Sequence, residues 1–411
     1  MMNLILVAYY YPPPHGAGTG RPHFMARYLR DRGHAVTVIT SSCRDDVHES
    51  GVLGIHDPSS NRCRGGVRSV SWLTRRLLVE AANSLGNPCS ILSAWKSRAG
   101  RVGRVLVKAE PPDLLLATYP PVENLAVGMT LARRAGCPLV ADFRDGLTYE
   151  PVEGVLPVRF PAIRRAYARM EAKVLNRAAG VLAAHPSLAD NLADKVKDTP
   201  VLWLPNGYEP IMKVPPSPLA EMEGFHLVHT GRFSLSDRGC DPKPLVRALT
   251  RLPGDFSPSM YLHLLGRLSR AEMRLFRPLE RRGRVVMHGE VSREASRAWQ
   301  VHADGLLLVV SSLRPSVIPG KLLEYLPMRA PVLAVAPPGA AGDILTACGR
   351  GLIADPRDPA ALDAALRRLA GGGGDASRRN EKEISRYEWS ELGAGLETFL
   401  REVQAKKKEC V

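Results

Sequence analysis

Lys321 and Glu324 stand three residues apart, directly after Pro319-Gly320. An apolar stretch, 305–310, runs into the polar loop 311–319, and a second apolar stretch, 331–336, follows soon after. That order predicts strand, loop, short helix and strand, a βαβ unit of a parallel sheet. Such sheets hold ligands beyond the carboxyl ends of their strands. The first turn of a helix offers unpaired N–H groups and partial positive charge, which suit phosphate. Lys321 adds a full charge there, and Glu324 can accept hydrogen bonds from sugar hydroxyls. This chemistry fits an anionic, hydroxylated ligand such as a nucleotide-sugar. The same spacing would also fit a plain turn with a surface Lys–Glu pair.

A second group of candidates lies earlier. The apolar stretch 138–141 delivers Asp142-Phe143-Arg144-Asp145, three charged residues just past a buried strand. Near the N-terminus, strand 4–8 ends in a proline-rich loop carrying Gly16, Gly18 and Gly20. Glycines let backbone approach a ligand closely. Their spacing is not G-x-G-x-x-G, so a nicotinamide dinucleotide is not expected. His185 follows another apolar stretch and reads as structural.

The elements that must position these residues recur along the chain. Strand, glycine loop, helix and strand within the first forty residues make a Rossmann half-unit. Further strands are expected at 113–118, 138–141, 180–184 and 201–204, with helices at 122–134 and 164–178 between them. Residues 41–66 read as polar and irregular. Residues 209–224 hold four prolines and read as a linker. The pattern then restarts at 225–229, and a long amphipathic helix bearing Leu392, Leu396, Phe399, Leu400 and Val403 closes the chain.

Composition narrows the function classes. The 411 residues, 45% hydrophobic and 24% charged, suit a soluble globular chain of two or three domains. No apolar run is long enough for a membrane span. The seven scattered cysteines lack C-x-x-C spacing, so a reducing compartment without structural zinc is expected. Net charge is +15, and residues 60–108 hold ten Lys/Arg against one acid, Glu80. Aromatics do not interleave with these bases as a nucleic-acid stacking platform requires. An anionic membrane surface is the better partner for 60–108. Within it, 67–82 can form a helix with Val70, Leu73 and Leu77 on one side and arginines on the other.

Taken together, the motifs resemble the retaining glycosyltransferases of family four, with the GT-B fold. The resemblance spans essentially the whole chain. It rests on Tyr10-Tyr11-Pro12-Pro13 with its downstream glycines and Arg21, Arg32-Gly33-His34, Asp142-Phe143-Arg144-Asp145, Pro205-Asn206-Gly207, Gly231-Arg232, and Pro319 to Leu326. It implies an α/β fold of two Rossmann-like domains facing across a cleft, with the last helix crossing back onto the first. The expected domains are 1–208 for the acceptor, 209–382 for the donor, and 383–411 for the returning helix and basic tail.

The implied reaction moves a sugar from a nucleotide-diphosphate donor to an acceptor hydroxyl, with retention and without metal. The product would be a polysaccharide, glycolipid or glycosylated metabolite. By position, Glu324 would hold the ribose, and Gly320 and Lys321 would meet the diphosphate. Arg232, with Arg238 or Lys243, would neutralise the leaving group. Gly16 and Gly18 would approach the phosphates. Asp142, Arg144 and Asp145 would face the transferred sugar or the acceptor. No cofactor is implied beyond the donor substrate itself. The implied setting is the bacterial cytoplasm, with peripheral attachment to the inner face of the plasma membrane as a further option.

The chain departs from the family at one point. Family members often carry a glutamate eight residues before the ribose-binding one, and here that position is Ser316. Two alternatives to transfer therefore remain: a nucleotide-sugar epimerase of the same fold, and an inactive sugar-nucleotide binder.

Overall fold

A computed structural model describes residues 1–12, 18–42, 49–57, 93–150, 161–213, 216–253, 259–372 and 379–409. Gly16 and the helix expected at 67–82 lie outside the described residues. The chain forms two compact units. One comprises Met1–Pro205 with Trp389–Val411, and the other comprises Asn206–Glu388.

The first unit is built on a seven-stranded parallel sheet. Its strands are β1 (Asn3–Val7), β2 (Ala35–Ser42), β3 (Val52–His56), β4 (Leu114–Tyr119), β5 (Leu139–Phe143), β6 (Gly180–Ala183) and β7 (Val201–Trp203). They run in the order β3-β2-β1-β4-β5-β6-β7. β1 registers Leu4 with Val36 on one side and with Leu114 on the other. β4 is buried along its whole length, as a strand covered on both faces must be. One face carries α2 (Ser93–Ala109), α3 (Val122–Ala135) and α4 (Pro161–Leu175), packed through Trp95, Leu125, Leu131 and Val174.

The other face carries α1 (Gly20–Asp31) and the last helix of the chain. Between β6 and β7 runs α5 (Pro186–Ala193). The stretch 41–66 was expected to be irregular, yet it contains β3. That strand sits at the sheet edge, where only one flank needs pairing. Val52 and Ile55 suffice to bury it against β2.

The second unit holds a six-stranded parallel sheet of β8 (Phe225–Thr230), β9 (Met260–Leu265), β10 (Val285–Gly289), β11 (Gly305–Val309), β12 (Val332–Val335) and β13 (Gly351–Ala354). Its order is β10-β9-β8-β11-β12-β13. Its helices are α6 (Lys243–Arg251), α7 (Arg270–Arg281), α8 (Arg293–His302), α9 (Gly320–Tyr325), α10 (Ala340–Ala347), α11 (Pro359–Ala370) and α12 (Glu381–Ser385). Ser269 begins α7 with a capping box, reciprocated by Glu272.

α13 (Trp389–Glu409) then rejoins the first unit, as the resemblance implied. Leu392, Leu396, Phe399, Leu400 and Val403 bury against Met25, Ala26 and Leu29 of α1 and the sheet. Each such side chain contributes about 1.5–3 kcal/mol by leaving water. Trp389 stacks on Phe24 at 4.4 Å. Glu397 accepts hydrogen bonds from Arg32 and His34, 3.2 and 3.1 Å away. Residues 383–388, expected with this helix, belong to the second unit.

Candidate functional site

Each sheet reverses its winding once, between β1 and β4 in the first unit and between β8 and β11 in the second. In a doubly wound sheet the loops leaving such strands part, and ligands usually bind in the crevice between them. The candidate residues fall at these two places.

In the second unit, β8 ends at Thr230 and the chain turns through Gly231, whose φ is +99°. A Cβ there would lie 2.6 Å from Lys321 Cε, so only glycine fits against the lysine stem. Lys321 Nζ donates to the Arg232 carbonyl at 2.6 Å and reaches His229 Nε2 at 3.3 Å. His229 Nδ1 lies 3.0 Å from the Leu307 carbonyl. A carbonyl only accepts, so Nδ1 carries the proton and Nε2 accepts from the lysine. Burial, and next the lysine charge, hold His229 well below its ordinary pKa. Burial also lowers Lys321 to about 8. The ammonium is thus fixed beneath the switch-point loop by two acceptors.

Surrounding contacts hold this arrangement. Tyr325, fully buried on α9, accepts at its hydroxyl from Thr230 N at 3.1 Å, and Gln300 donates to Thr230 Oγ1 at 2.8 Å. Glu272 accepts from Ser234 N and Oγ. Asp237 ties loop 233–240 to the loop after β11 by accepting from Ser311 Oγ and Arg314 Nε, 2.7 and 2.9 Å away. Sequence reasoning missed these supports. Their signal was only a run of polar residues at strand ends, which does not show partners brought from elsewhere in the chain.

Glu324 is exposed one turn beyond Lys321. α9 spans six residues, so its first-turn N–H groups at Gly320 and Lys321 count for more than any helix dipole. The Arg232 side chain is exposed and pairs with Glu290 at 3.1 Å. Arg238 is exposed on the same loop, and Lys243 is exposed at the start of α6, 3.9 Å from Asp241.

In the first unit, Gly18 and the 142–145 loop meet. A Cβ on Gly18 would lie 2.7 Å from Arg144 Nη1 and 3.2 Å from the Tyr10 ring. Arg144 N donates to the Tyr119 carbonyl at 3.0 Å, and its Nε pairs with Asp145 at 3.3 Å. Both side chains remain partly open to solvent. Asp142 departs from expectation. It is wholly buried, and Arg21 Nε and Nη2 grip both its oxygens at 2.7–3.1 Å. Arg21 Nη1 also donates to the Leu204 and Pro205 carbonyls. Asp142 therefore faces inward and locks α1 to β5 and to the end of the first unit's main segment. His185 is buried at the end of β6, in line with a structural role.

Residues 20–207 match the family described as a glycosyl transferase 4-like domain. Sucrose-phosphate synthase from Thermosynechococcus elongatus superposes with a TM-score of 0.67 at 18% identity, covering 99% of this chain and 100% of that one. HepE of Anabaena, in complex with UDP and glucose, gives 0.63 at 17% identity, over 98% and 100% of the two chains. A putative UDP-N-acetylglucosamine 2-epimerase from Listeria monocytogenes gives 0.54 at 12% identity, over 98% and 96%. None of the curated proteins matches this chain by sequence. The chain thus has the GT-B fold. The match of residues 20–207 to a glycosyl transferase 4-like domain accords with the resemblance read from the motifs.

Proposed function

We propose that this protein is a glycosyltransferase that moves a sugar from a nucleoside-diphosphate donor to an acceptor hydroxyl, retaining the anomeric configuration. The observation that carries this reading is Lys321, a half-buried cation under the glycine turn at the switch point of the second sheet. The second unit binds the donor. Glu324 accepts from the ribose hydroxyls, while Lys321 and the first-turn N–H groups meet the diphosphate. As the anomeric C–O bond breaks, its electron pair passes to the diphosphate oxygen, the acceptor oxygen bonds to the anomeric carbon on the same face, and the acceptor's proton passes to the departing diphosphate oxygen. Fixed cations stabilise that growing charge best where water is excluded. Arg232, once turned from Glu290, supplies a second cation on the loop. Arg238 or Lys243 adds to it, so the leaving group needs no metal.

The first unit binds the acceptor. Arg144 and Asp145 orient its hydroxyl, and Gly18 admits it to the loop surface. Asp142 acts by holding Arg21 and the loop rather than by touching substrate. HepE is described with UDP and glucose, which makes a UDP-sugar the first donor to try. The epimerase likeness supports a second reading, in which the sugar is rearranged while still on the nucleotide.

Incubation with a UDP-sugar in the presence of chelator separates the readings. Transfer predicts free UDP and an α-linked product only when acceptor is added. Epimerisation predicts a new nucleotide-sugar without acceptor. Neither product, together with gain of turnover in Ser316→Glu, would mark an inactive binder.

Peripheral contact with an anionic membrane through 60–108, on the cytoplasmic side, belongs to the same proposal. α2 is its described part.

A further inference from the structure

The three helices α2, α3 and α4 cover one face of the first sheet. They carry eleven lysines and arginines and two acids, Glu123 and Glu171. Both acids are buried. Glu171 is turned to Lys195 and Thr148, at 2.7 and 2.8 Å. Ten of the eleven cations are exposed, and Lys96 is half-buried. Between α3 and α4 this face opens into a groove of about 350 Å³. Val122, Ala126, Met129, Ala166 and Met170 give it an apolar part, Glu123 and Thr130 also line it, and Lys96, Arg169, Lys173 and Arg177 bring four cations against that one carboxylate. On α2, Val102 and Val105 stand exposed at 40% and 70% among Arg98, Arg101, Arg104 and Lys108.

A mixed lining in which apolar side chains lie among four cations and a single carboxylate suits an amphiphile whose anionic head joins an alkyl chain. We propose that the α3–α4 groove seats the phosphate headgroup of an anionic phospholipid, and that α2 to α4 form the face that docks on such a bilayer. The phosphate meets Arg169, Lys173 and Arg177, and the first methylenes lie over Met129 and Met170. Val102 and Val105 enter the headgroup boundary, while the surrounding cations lie on the anionic surface. The volume suits a headgroup rather than a whole lipid. Nucleic acid fits less well, because among the described residues the groove lining offers no aromatic ring for a base to stack on. This site adds to the proposed membrane contact of 60–108 and does not depend on sugar transfer.

The test is cosedimentation of the full chain, without donor, with phosphatidylcholine vesicles that contain or lack phosphatidylglycerol. Binding only to the anionic vesicles is expected, weakening as salt rises. Each cation near such a surface is worth about fivefold in partitioning. The pair Arg169→Ala with Lys173→Ala should therefore bind about twenty-five-fold more weakly, with an unchanged melting temperature. Met170→Glu, which charges the lining without removing a cation, should also weaken binding. Equal binding to neutral vesicles, full binding by both variants, or tighter binding to single-stranded RNA than to anionic vesicles would overturn the proposal. UDP-sugar turnover of the same variants on a soluble acceptor reports separately on the transferase reading.

Discussion

Lys321 owes its chemistry to where Gly231 lets it lie. The lysine stem passes where a Cβ would stand, and its ammonium reaches the Arg232 carbonyl. Burial brings its pKa from 10.5 to about 8, so it is charged at neutral pH and loses its proton through the mildly alkaline range. A bound diphosphate favours the charged form and moves the midpoint upward. Donor affinity should therefore hold below about pH 8 and fall above it. In Lys321→Arg the fall should disappear, because a guanidinium stays charged. Calorimetric titration of donor across that range measures both. Asp142 behaves differently. Its buried pairing with Arg21 predicts that Asp142→Asn lowers unfolding stability by about 3–5 kcal/mol, since it leaves a buried guanidinium without its countercharge. Chemical denaturation checks this. A folded, fully stable variant that has lost only turnover would return Asp142 to the chemistry.

At the scale of elements, α13 completes the sheet layer it covers. Gly180 opens β6 beneath it, and a Cβ there would meet Val403 at 2.7 Å and Phe399 at 3.0 Å. Gly180→Val should push α13 off the sheet, lowering the melting temperature and exposing 389–409 to protease. Limited proteolysis reads this directly. Much of this level was legible in the sequence. Strands such as 114–118 are apolar on both faces and need no partner to be recognised. The amphipathic spacing of Leu392, Leu396, Phe399 and Val403 marked the last helix, although its return to the first unit came only from the resemblance. β3 and α2 were not legible. An edge strand with two buried side chains leaves almost no period-two signal. The small and charged residues of α2 gave only a basic stretch, and its Gly100 and Gly103 argue against helix by propensity. At Gly103 the reason is packing: a Cβ would stand 2.5 Å from Leu131 of α3.

Across the whole molecule, two parallel sheets each place their candidate residues where the winding reverses. The positions of Gly18, Arg144, Asp145, Gly231 and Lys321 at those points were readable as motifs. The partners that fix them were not, because His229, Glu272, Gln300 and Tyr325 meet only after folding. The central claim is that the second unit binds a nucleotide-sugar through Lys321 and Glu324. Its most direct measurement is the thermal shift produced by UDP-, GDP-, ADP- and TDP-sugars in chelator, for the native chain and for Lys321→Ala, Glu324→Ala and Arg144→Ala. Binding to the folded state alone stabilises by about 2.7 kcal/mol at a hundred times the dissociation constant. One nucleotide class should raise the melting temperature, and the rise should vanish in Lys321→Ala and Glu324→Ala but persist in Arg144→Ala. No shift with any donor, or a shift that survives loss of both Lys321 and Glu324, would contradict the account.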